Sequence, residues 1–403
     1  MAKKKEQAAQ AVVAYKGFNQ DWTCRGFQYE VGKTYEHKGD VEACSGGFHA
    51  CEYPLHVLRY YKASQSRFAI VEQSGTLSRH DEDSKIASSH ISVKAEIDIA
   101  GLIKAAVKYT MDRCTPAEGS VSDKDNTVVK AEGKNKSAVA SGYYGAATAS
   151  GYYGAATASG NSGAATASGY YGAATASGYS GAATASGDYG AATASGDYGA
   201  ATASGYSGAA TASGDYGAAT ASGDYGAATA SGYSGAATAS GNYGAATASG
   251  YYGAATASGN SGAATASGDY GAATASGYSG AATASGYYGA ATASGDYGAA
   301  TASGNSGAAT ASGNSGAATA SGYYGAATAS GYSGAATASG NSGAATASGR
   351  NGKAKGKTGC ALFLVYRDSD WKIVHAKAAI VGQDGIKEDT FYRLNDKGEF
   401  AEA

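Results

Sequence analysis

The side chains best suited to chemistry lie in the first third of the chain. Cys24, Cys44, Cys51 and Cys114 share that stretch with His37 and His49, and thiolate and imidazole are the ligands that hold zinc. A site built from Cys24, Cys44, His49 and Cys51 is the one set the order of residues offers, but structural zinc announces itself with closely paired ligands and the step from Cys44 to Cys51 is too wide. With an odd total of five cysteines, the thiols read as reduced and mostly buried. Carboxylates are the other candidate ligands. Asp188, Asp197, Asp215, Asp224, Asp269 and Asp296 recur at one position of a repeat, as they do in calcium-binding rolls, yet Tyr or Asn stands there in the other copies and a calcium ion needs several oxygens at once. No catalytic signature stands out, so the expectation is a protein that is not an enzyme, with no metal and no cofactor.

The element that must position everything else is the repeat. Gly-[Tyr/Asp/Asn]-[Tyr/Ser]-Gly-Ala-Ala-Thr-Ala-Ser runs without insertion from Gly142 to Ser348, 23 copies of nine residues in a chain of 403. A period this short with glycine at fixed offsets predicts a parallel β-solenoid. Its faces can be read from the degenerate ends. In Lys124–Glu132 and Gly349–Lys357 the long or charged side chains occupy positions 7 and 9, while positions 6 and 8 stay small and uncharged. Strand side chains alternate with period two, so positions 5, 7 and 9 point to solvent and positions 6 and 8 into the core. That core is alanine methyl. Three such strands per coil would enclose a void that alanine cannot fill, so the expectation is two strands, about 18 residues, per coil, with the sheets pressed together. Burial of each methyl is worth only about 0.8 kcal/mol, and stability comes from number and from the backbone ladder.

Two surfaces of this array are candidates for binding. The Gly-x-x-Gly corners carry the variation, and Tyr occurs there 24 times, so the edges are expected to carry stacked rings one coil apart. Aromatic patches are enriched at interfaces, which makes Tyr143, Tyr152, Tyr171, Tyr189, Tyr216, Tyr252, Tyr288 and Tyr324 candidates for binding another protein or another copy of the chain. The plainer reading is that the rings cover the ends of a thin core. The flat faces carry Ala-x-Thr-x-Ser outward, and regular ranks of Thr such as Thr202, Thr220, Thr256 and Thr292 suit adhesion to ice. Residues 142 to 348 contain no Lys, Arg, Glu or His and carry a charge of −6, so the repeat has nothing to neutralise phosphates and no nucleic acid is expected on it.

The flanks are therefore net positive in a chain of −2 overall, with Lys3 to Lys5 at the start and Arg350, Lys353, Lys355 and Lys357 at the exit of the array. The exit cluster reads as a charged cap that stops solenoids adding end to end. No stretch approaches a membrane span, and the opening Met-Ala-Lys-Lys-Lys-Glu lacks the apolar core of a signal peptide. The expected setting is the host cytoplasm or a virion, with no membrane partner. The fold class expected is mainly β, in three parts. Residues 11–122 form an α+β domain with strands at Ala11–Tyr15, Arg25–Val31, Arg67–Glu72 and His90–Ile97 and helices at Pro54–Tyr61 and Ala100–Asp112. Residues 123–357 form the solenoid with degenerate ends. Residues 358–403 form a small β cap from antiparallel strands at Cys360–Tyr366 and Trp371–Val381 and a short strand at Phe391–Leu394.

The flanks also carry a resemblance. Tyr15-Lys-Gly-Phe18, Cys24-Arg-Gly-Phe-Gln-Tyr-Glu-Val-Gly-Lys-Thr-Tyr35, Ser45-Gly-Gly-Phe-His-Ala-Cys-Glu-Tyr-Pro-Leu55 and Lys85-Ile-Ala-Ser-Ser89 resemble an uncharacterised domain of phage and prophage proteins that is often followed by Ala/Ser/Thr/Gly repeats. The resemblance implies a viral or prophage origin and no particular chemistry. Tyr15-Lys16-Gly17 followed by Gly47-Phe-His-Ala and a helix ending in Tyr60-Tyr61 is similar to the first two motifs of ADP-ribosyltransferases, which hold NAD with a His or Arg before that Gly. Lys16 stands at that position here, no late Glu can be assigned, and Lys lacks the planar fork of Arg. The departure implies a degenerate domain that does not turn over NAD.

Overall fold

Each nine-residue unit folds as one strand and one corner. The computed structural model describes residues 11–63, 65–79 and 84–403; Lys3 to Lys5 and the opening hexapeptide lie outside them. Ala-Ala-Thr-Ala-Ser extends as a strand of five residues, as in Ala254–Ser258, or of four further along, as in Ala290–Ala293. Successive units feed two sheets in turn, so each strand pairs in parallel with the one eighteen residues on: Thr238 with Thr256, and Thr256 with Thr274. The result is a two-strand coil with one sheet of 16 strands and another of 15. Ala255 and Ala257 are buried while Ala254 and Thr256 face outward. The inward methyls form one continuous cluster from Val129 to the cap residues Leu362, Leu364 and Leu394.

The corners are bonded from coil to coil as well. Tyr252 N–H donates to the Tyr233 carbonyl at 2.9 Å and Gly250 N–H to the Ser267 carbonyl at 3.0 Å. This closeness is what demands glycine. Gly259 has φ of 136°, and a Cβ on it would overlap the carbonyl oxygen of Gly241 in the preceding coil, so neither the conformation nor the space tolerates a side chain.

The N-terminal domain is an antiparallel sheet of five strands in the order Thr34–Glu36, Lys85–Ile97, Phe48–Cys51, Val12–Phe18, Arg67–Arg79. Lys85–Ile97 also pairs with Arg67–Arg79, Phe68 opposite Ile97 and Arg79 opposite Ile86, which curls the sheet closed. Pro54–Arg59 is a 3-10 helix and Ile99–Met111 an α-helix whose N-terminus is capped by Asp98, its carboxylate accepting from Gly101 N–H at 2.7 Å. The helix buries Leu102, Ile103, Ala106, Val107 and Thr110, the face its apolar spacing predicts. What that face meets is the solenoid. Leu102, Ile103 and Ala106 share a buried cluster with Tyr53, Leu55 and Leu58 of the domain and with the outward alanines Ala173, Ala191 and Ala209 of the 16-stranded sheet.

Three expectations need correction. Arg25–Val31 is not a strand: only Phe27–Gln28 pairs, with Thr23–Cys24, because Trp22, Arg25 and Gly26 turn through positive φ of 64°, 50° and 78°. The solenoid starts before residue 123, since Thr115–Ser122 is already the first strand of the 16-stranded sheet and pairs with Asn135–Ala140; Pro116 is tolerated there because the strand is an edge. The cap contains one more strand than expected, Phe400–Glu402 on Tyr392–Leu394. The expected hairpin is present, with Ala361–Arg367 against Ile373–Ile380. The exit cations are drawn into the cap: Lys353 and Lys355 lie over the Phe391 ring at 4.8 and 5.0 Å, and Lys357 pairs with Asp389. Among the described residues no helix is long and apolar enough to cross a membrane.

The inward and outward alanines of one strand differ by a single step, which gives a sharp test of the core. Ala255→Glu should lower unfolding stability by several kcal/mol, because it buries a charge with no partner. Ala254→Glu, one residue away on the open face, should cost under about 1 kcal/mol. Denaturant titration of the two variants checks this, and equal tolerance would mean that the faces are inverted.

Candidate functional site

Because the units alternate between sheets, the corners fall on two opposite edges that the sequence does not distinguish. Corners that precede strands of the 15-stranded sheet form one edge, with Tyr143, Tyr216, Tyr252, Tyr288 and Tyr324 on it. Tyr152, Tyr171 and Tyr189 lie on the other. On the first edge the rings are about half exposed, Tyr252 at 47 % and Tyr288 at 48 %, and they stack along the coil axis. Tyr198 and Tyr216 are 5.0 Å apart with nearly parallel rings. The longest run spans four coils: Tyr233 to Tyr251 at 5.5 Å, Tyr252 to Tyr270 at 5.2 Å and Tyr270 to Tyr288 at 5.1 Å, with Tyr251 against Tyr252 at 4.7 Å linking the two halves. Asn305-Ser306 interrupts it before Tyr323 and Tyr324, as Asn161-Ser162 isolates Tyr143 and Tyr144 at the other end.

The second edge is in use. Tyr171 and Tyr189 are 7 % and 2 % exposed, sealed under the N-terminal domain, so they take no part in an outward surface. Tyr153, Tyr171 and Tyr189 stack at 4.8 and 5.6 Å, and Tyr53 and His56 of the domain pack edge-on against that column, Tyr53 on Tyr171 at 4.6 Å and His56 on Tyr189 at 4.4 Å. Tyr53 Oη donates to the Tyr189 carbonyl at 2.9 Å. Ser84 N–H donates to His56 Nδ1, which places the ring proton on Nε2, 3.3 Å from Tyr171 Oη. Further along the same edge Lys62 reaches over the Tyr243 ring at 4.4 Å. Tyr152 remains 45 % exposed beside this contact, stacked on Tyr170.

Thr202, Thr220, Thr256 and Thr292 all lie on the 15-stranded sheet, opposite the one the domain covers, and all four are exposed. They belong to an unbroken rank of threonines in register from Thr148 to Thr346. On the covered sheet the equivalent Thr211 is only 4 % exposed.

The chemistry-bearing residues of the N-terminal domain do converge, though not on a metal. A cavity of about 480 Å³ opens between Val12–Phe18, Phe48–Cys51, the Ser45-Gly46-Gly47 loop and Tyr60-Tyr61, and Lys16, Cys24, His37, His49 and Cys51 line it. Lys16 is 5 % exposed. Its ammonium donates to the His49 carbonyl at 2.8 Å and to Cys24 Sγ at 3.5 Å, and Cys24 Sγ lies 2.9 Å from Tyr61 Oη. Burial lowers the Lys16 pKa below its ordinary 10.5 and raises those of the wall phenols Tyr29 and Tyr61. His49 is a neutral acceptor: Cys44 N–H donates to its Nε2 at 3.0 Å, and burial, with Lys85 and Lys16 nearby, lowers its pKa. None of the five cysteines is in a disulfide, and among the described residues no group of His, Cys, Asp and Glu is arranged to hold a metal. Sequence reasoning missed this cavity. Its signal was a lysine inside the apolar strand Val12–Phe18, followed by the closely spaced aromatics Phe27, Tyr29, Tyr35 and Phe48.

The contact between domain and solenoid predicts an alkaline transition. Burial raises the pKa of Tyr53, Tyr171 and Tyr189 far above the ordinary 10.0 and that of Tyr153 to about 12. The folded chain thus holds these protons after the unfolded chain has lost them. Their contribution to stability is whole below pH 10 and is lost as pH rises through the folded values. Melting temperature should fall steeply between pH 10 and 12, and Tyr171→Phe, which has no proton to lose, should make the fall shallower. A flat profile across that window would contradict the burial of these phenols.

Residues 12–105 match a family described as a domain of unknown function, DUF7666. Neither curated proteins nor solved structures gave a match to the chain.

Proposed function

We propose that this chain is a non-enzymatic structural protein, phage or prophage encoded like the proteins its flanks resemble, whose rigid solenoid associates with a second copy through the exposed tyrosine edge. The observation that carries the reading is the pair of edges. One tyrosine column, Tyr153–Tyr171–Tyr189, already serves as a docking surface within the chain, closed by aromatic rings packed edge-on. The column from Tyr233 to Tyr288 has the same chemistry and spacing and faces solvent. Its rings repeat at the coil rise, about 4.8 Å, a spacing that another solenoid of the same repeat matches ring for ring. A partner of that kind gains several aromatic contacts at once, each worth about 0.5–1.5 kcal/mol beyond the area it buries. The protein would then act as a rigid spacer or assembly element in the host cell or on a particle.

Light scattering on the purified chain tests this. The wild type should be a dimer or larger, and replacing Tyr233 and Tyr251 by Asn and Tyr252, Tyr270 and Tyr288 by Ser, residues the repeat itself uses at those positions, should lower the mass to that of a monomer without loss of fold. Thr256→Tyr, on the neighbouring face, should leave the mass unchanged. A wild type that stays monomeric at its highest attainable concentration would overturn the proposal.

A second reading rests on the unbroken threonine rank from Thr148 to Thr346 on the uncovered sheet. Hydroxyls and methyls ordered at about 4.8 Å between coils on a flat, uncharged face suit adhesion to ice. On this reading the wild type inhibits ice recrystallisation, Thr256→Tyr abolishes the effect by breaking the plane, and the five-tyrosine variant retains it. No inhibition by the wild type at high concentration ends the reading.

A further inference from the structure

The cavity of the N-terminal domain has a charge pattern that neither the solenoid nor its edges explain. Lys16, Arg25 and Lys85 line it, and among the described residues no Asp or Glu does. Lys16 is the sharpest case. An ammonium has three protons to donate; one goes to the His49 carbonyl and one to the Cys24 thiol, and no carboxylate among the described residues pairs with it. The rings of Phe18 and Tyr29 lie 5.6 and 5.4 Å from the amine, which eases the burial of a cation without neutralising it. A buried charge normally has a counter-charge, because desolvation is otherwise uncompensated. Here the open space beside the amine, where a counter-charge would fit, is the cavity.

The walls say what else the occupant must be. Phe27, Tyr29, Phe48, Tyr60 and Tyr61 present rings to the cavity, and Phe27, Tyr29 and Phe48 are held edge-to-face on one another at 4.8 to 6.2 Å, so the wall is preset. Gly17 keeps Tyr61 close, since a Cβ there would overlap its ring. Arg25, which lines the cavity, holds a φ of 50°, a left-handed value that side-chain-bearing residues other than Asn and Asp adopt uncommonly and that clusters at ligand sites. A volume of about 480 Å³ is within the range of small-molecule sites.

We propose that this cavity binds a small planar organic anion, an aromatic ring bearing a carboxylate or a phosphate, with the anionic group against Lys16 and Arg25 and the ring between Tyr29, Phe27 and Tyr61. The bound anion supplies the charge that Lys16 lacks, and the rings supply the flat apolar contact. The site is one of binding, with no bond made or broken.

Calorimetric titration of the full-length chain with three probes of one shape tests it: 1-naphthoate, 1-naphthyl phosphate and neutral 1-naphthamide. At least one of the acids should bind tighter than the amide by roughly tenfold or more, the effect of a charge-assisted hydrogen bond, and the better of the two identifies carboxylate or phosphate as the recognised group. Arg25→Asn, which tolerates the left-handed backbone, and Lys16→Met should each reduce that preference severalfold, while Arg79→Gln, whose side chain pairs with Glu52, should not. Because Lys16→Met alters a buried position, Arg25→Asn decides the matter if the former fails to fold. Acids that do not bind, acids that bind no tighter than the amide, or a preference that survives Arg25→Asn and any folded Lys16→Met would overturn the proposal.

Discussion

The structure rests on how closely consecutive coils approach at the corner glycines. With the Gly241 carbonyl where a Cβ of Gly259 would be, the backbone of one coil lies directly on the next and strands within the array find their partners eighteen residues away. That approach makes a core of alanine methyls workable. A sheet pair separated by larger side chains would leave corners too wide for two residues between glycines, and a wider coil would leave a void. The close approach and the thin core account for Gly at position 1 and Ala at positions 6 and 8; the variation among the copies is confined to the corner pair, while the outward positions 5, 7 and 9 are constant as well.

A uniform array has no preferred place for a domain to sit, and the corner residues supply one. The helix Ile99–Met111 lies on outward alanines that are the same in every coil. What differs locally is Tyr152-Tyr153 and Tyr170-Tyr171, paired tyrosines on two successive corners of one edge, followed by Tyr189. Tyr53 and His56 fit that column with hydrogen bonds as well as ring contacts, so the domain is registered by aromatic stacking and held by apolar burial. One consequence is asymmetry. Two chemically identical sheets end up with different lives, one covered over its first coils and one open throughout, and the same holds for the two tyrosine edges.

The N-terminal domain follows a different logic. Beside its closed antiparallel sheet lies a cavity lined by the buried Lys16, whose amine has no carboxylate partner among the described residues, an arrangement that serves stability poorly. Lysine is almost never fully buried unless paired, so its presence in an apolar strand is informative about the site rather than the fold.

The periodicity of the sequence determined the solenoid: inward Ala255 and Ala257, outward Thr256 and two strands per coil all follow from period two, residue size and packing density, which act over a few residues. The same locality misled at Arg25–Val31, where a short apolar run suggested a strand but Arg25 and Gly26 turn through positive φ and Phe27, Tyr29 and Phe48 collapse on one another instead. Only the tertiary structure decided that Tyr171 and Tyr189 are buried while Tyr252 and Tyr288 face solvent, because the contact that separates them spans more than a hundred residues, from Tyr53 to Tyr189. It also decided which threonine rank is open and that Lys16, Cys24, His49 and Tyr61 meet at one cavity. A local pattern specifies which face of a strand is buried, but identical strands become different only through what the rest of the chain places against them.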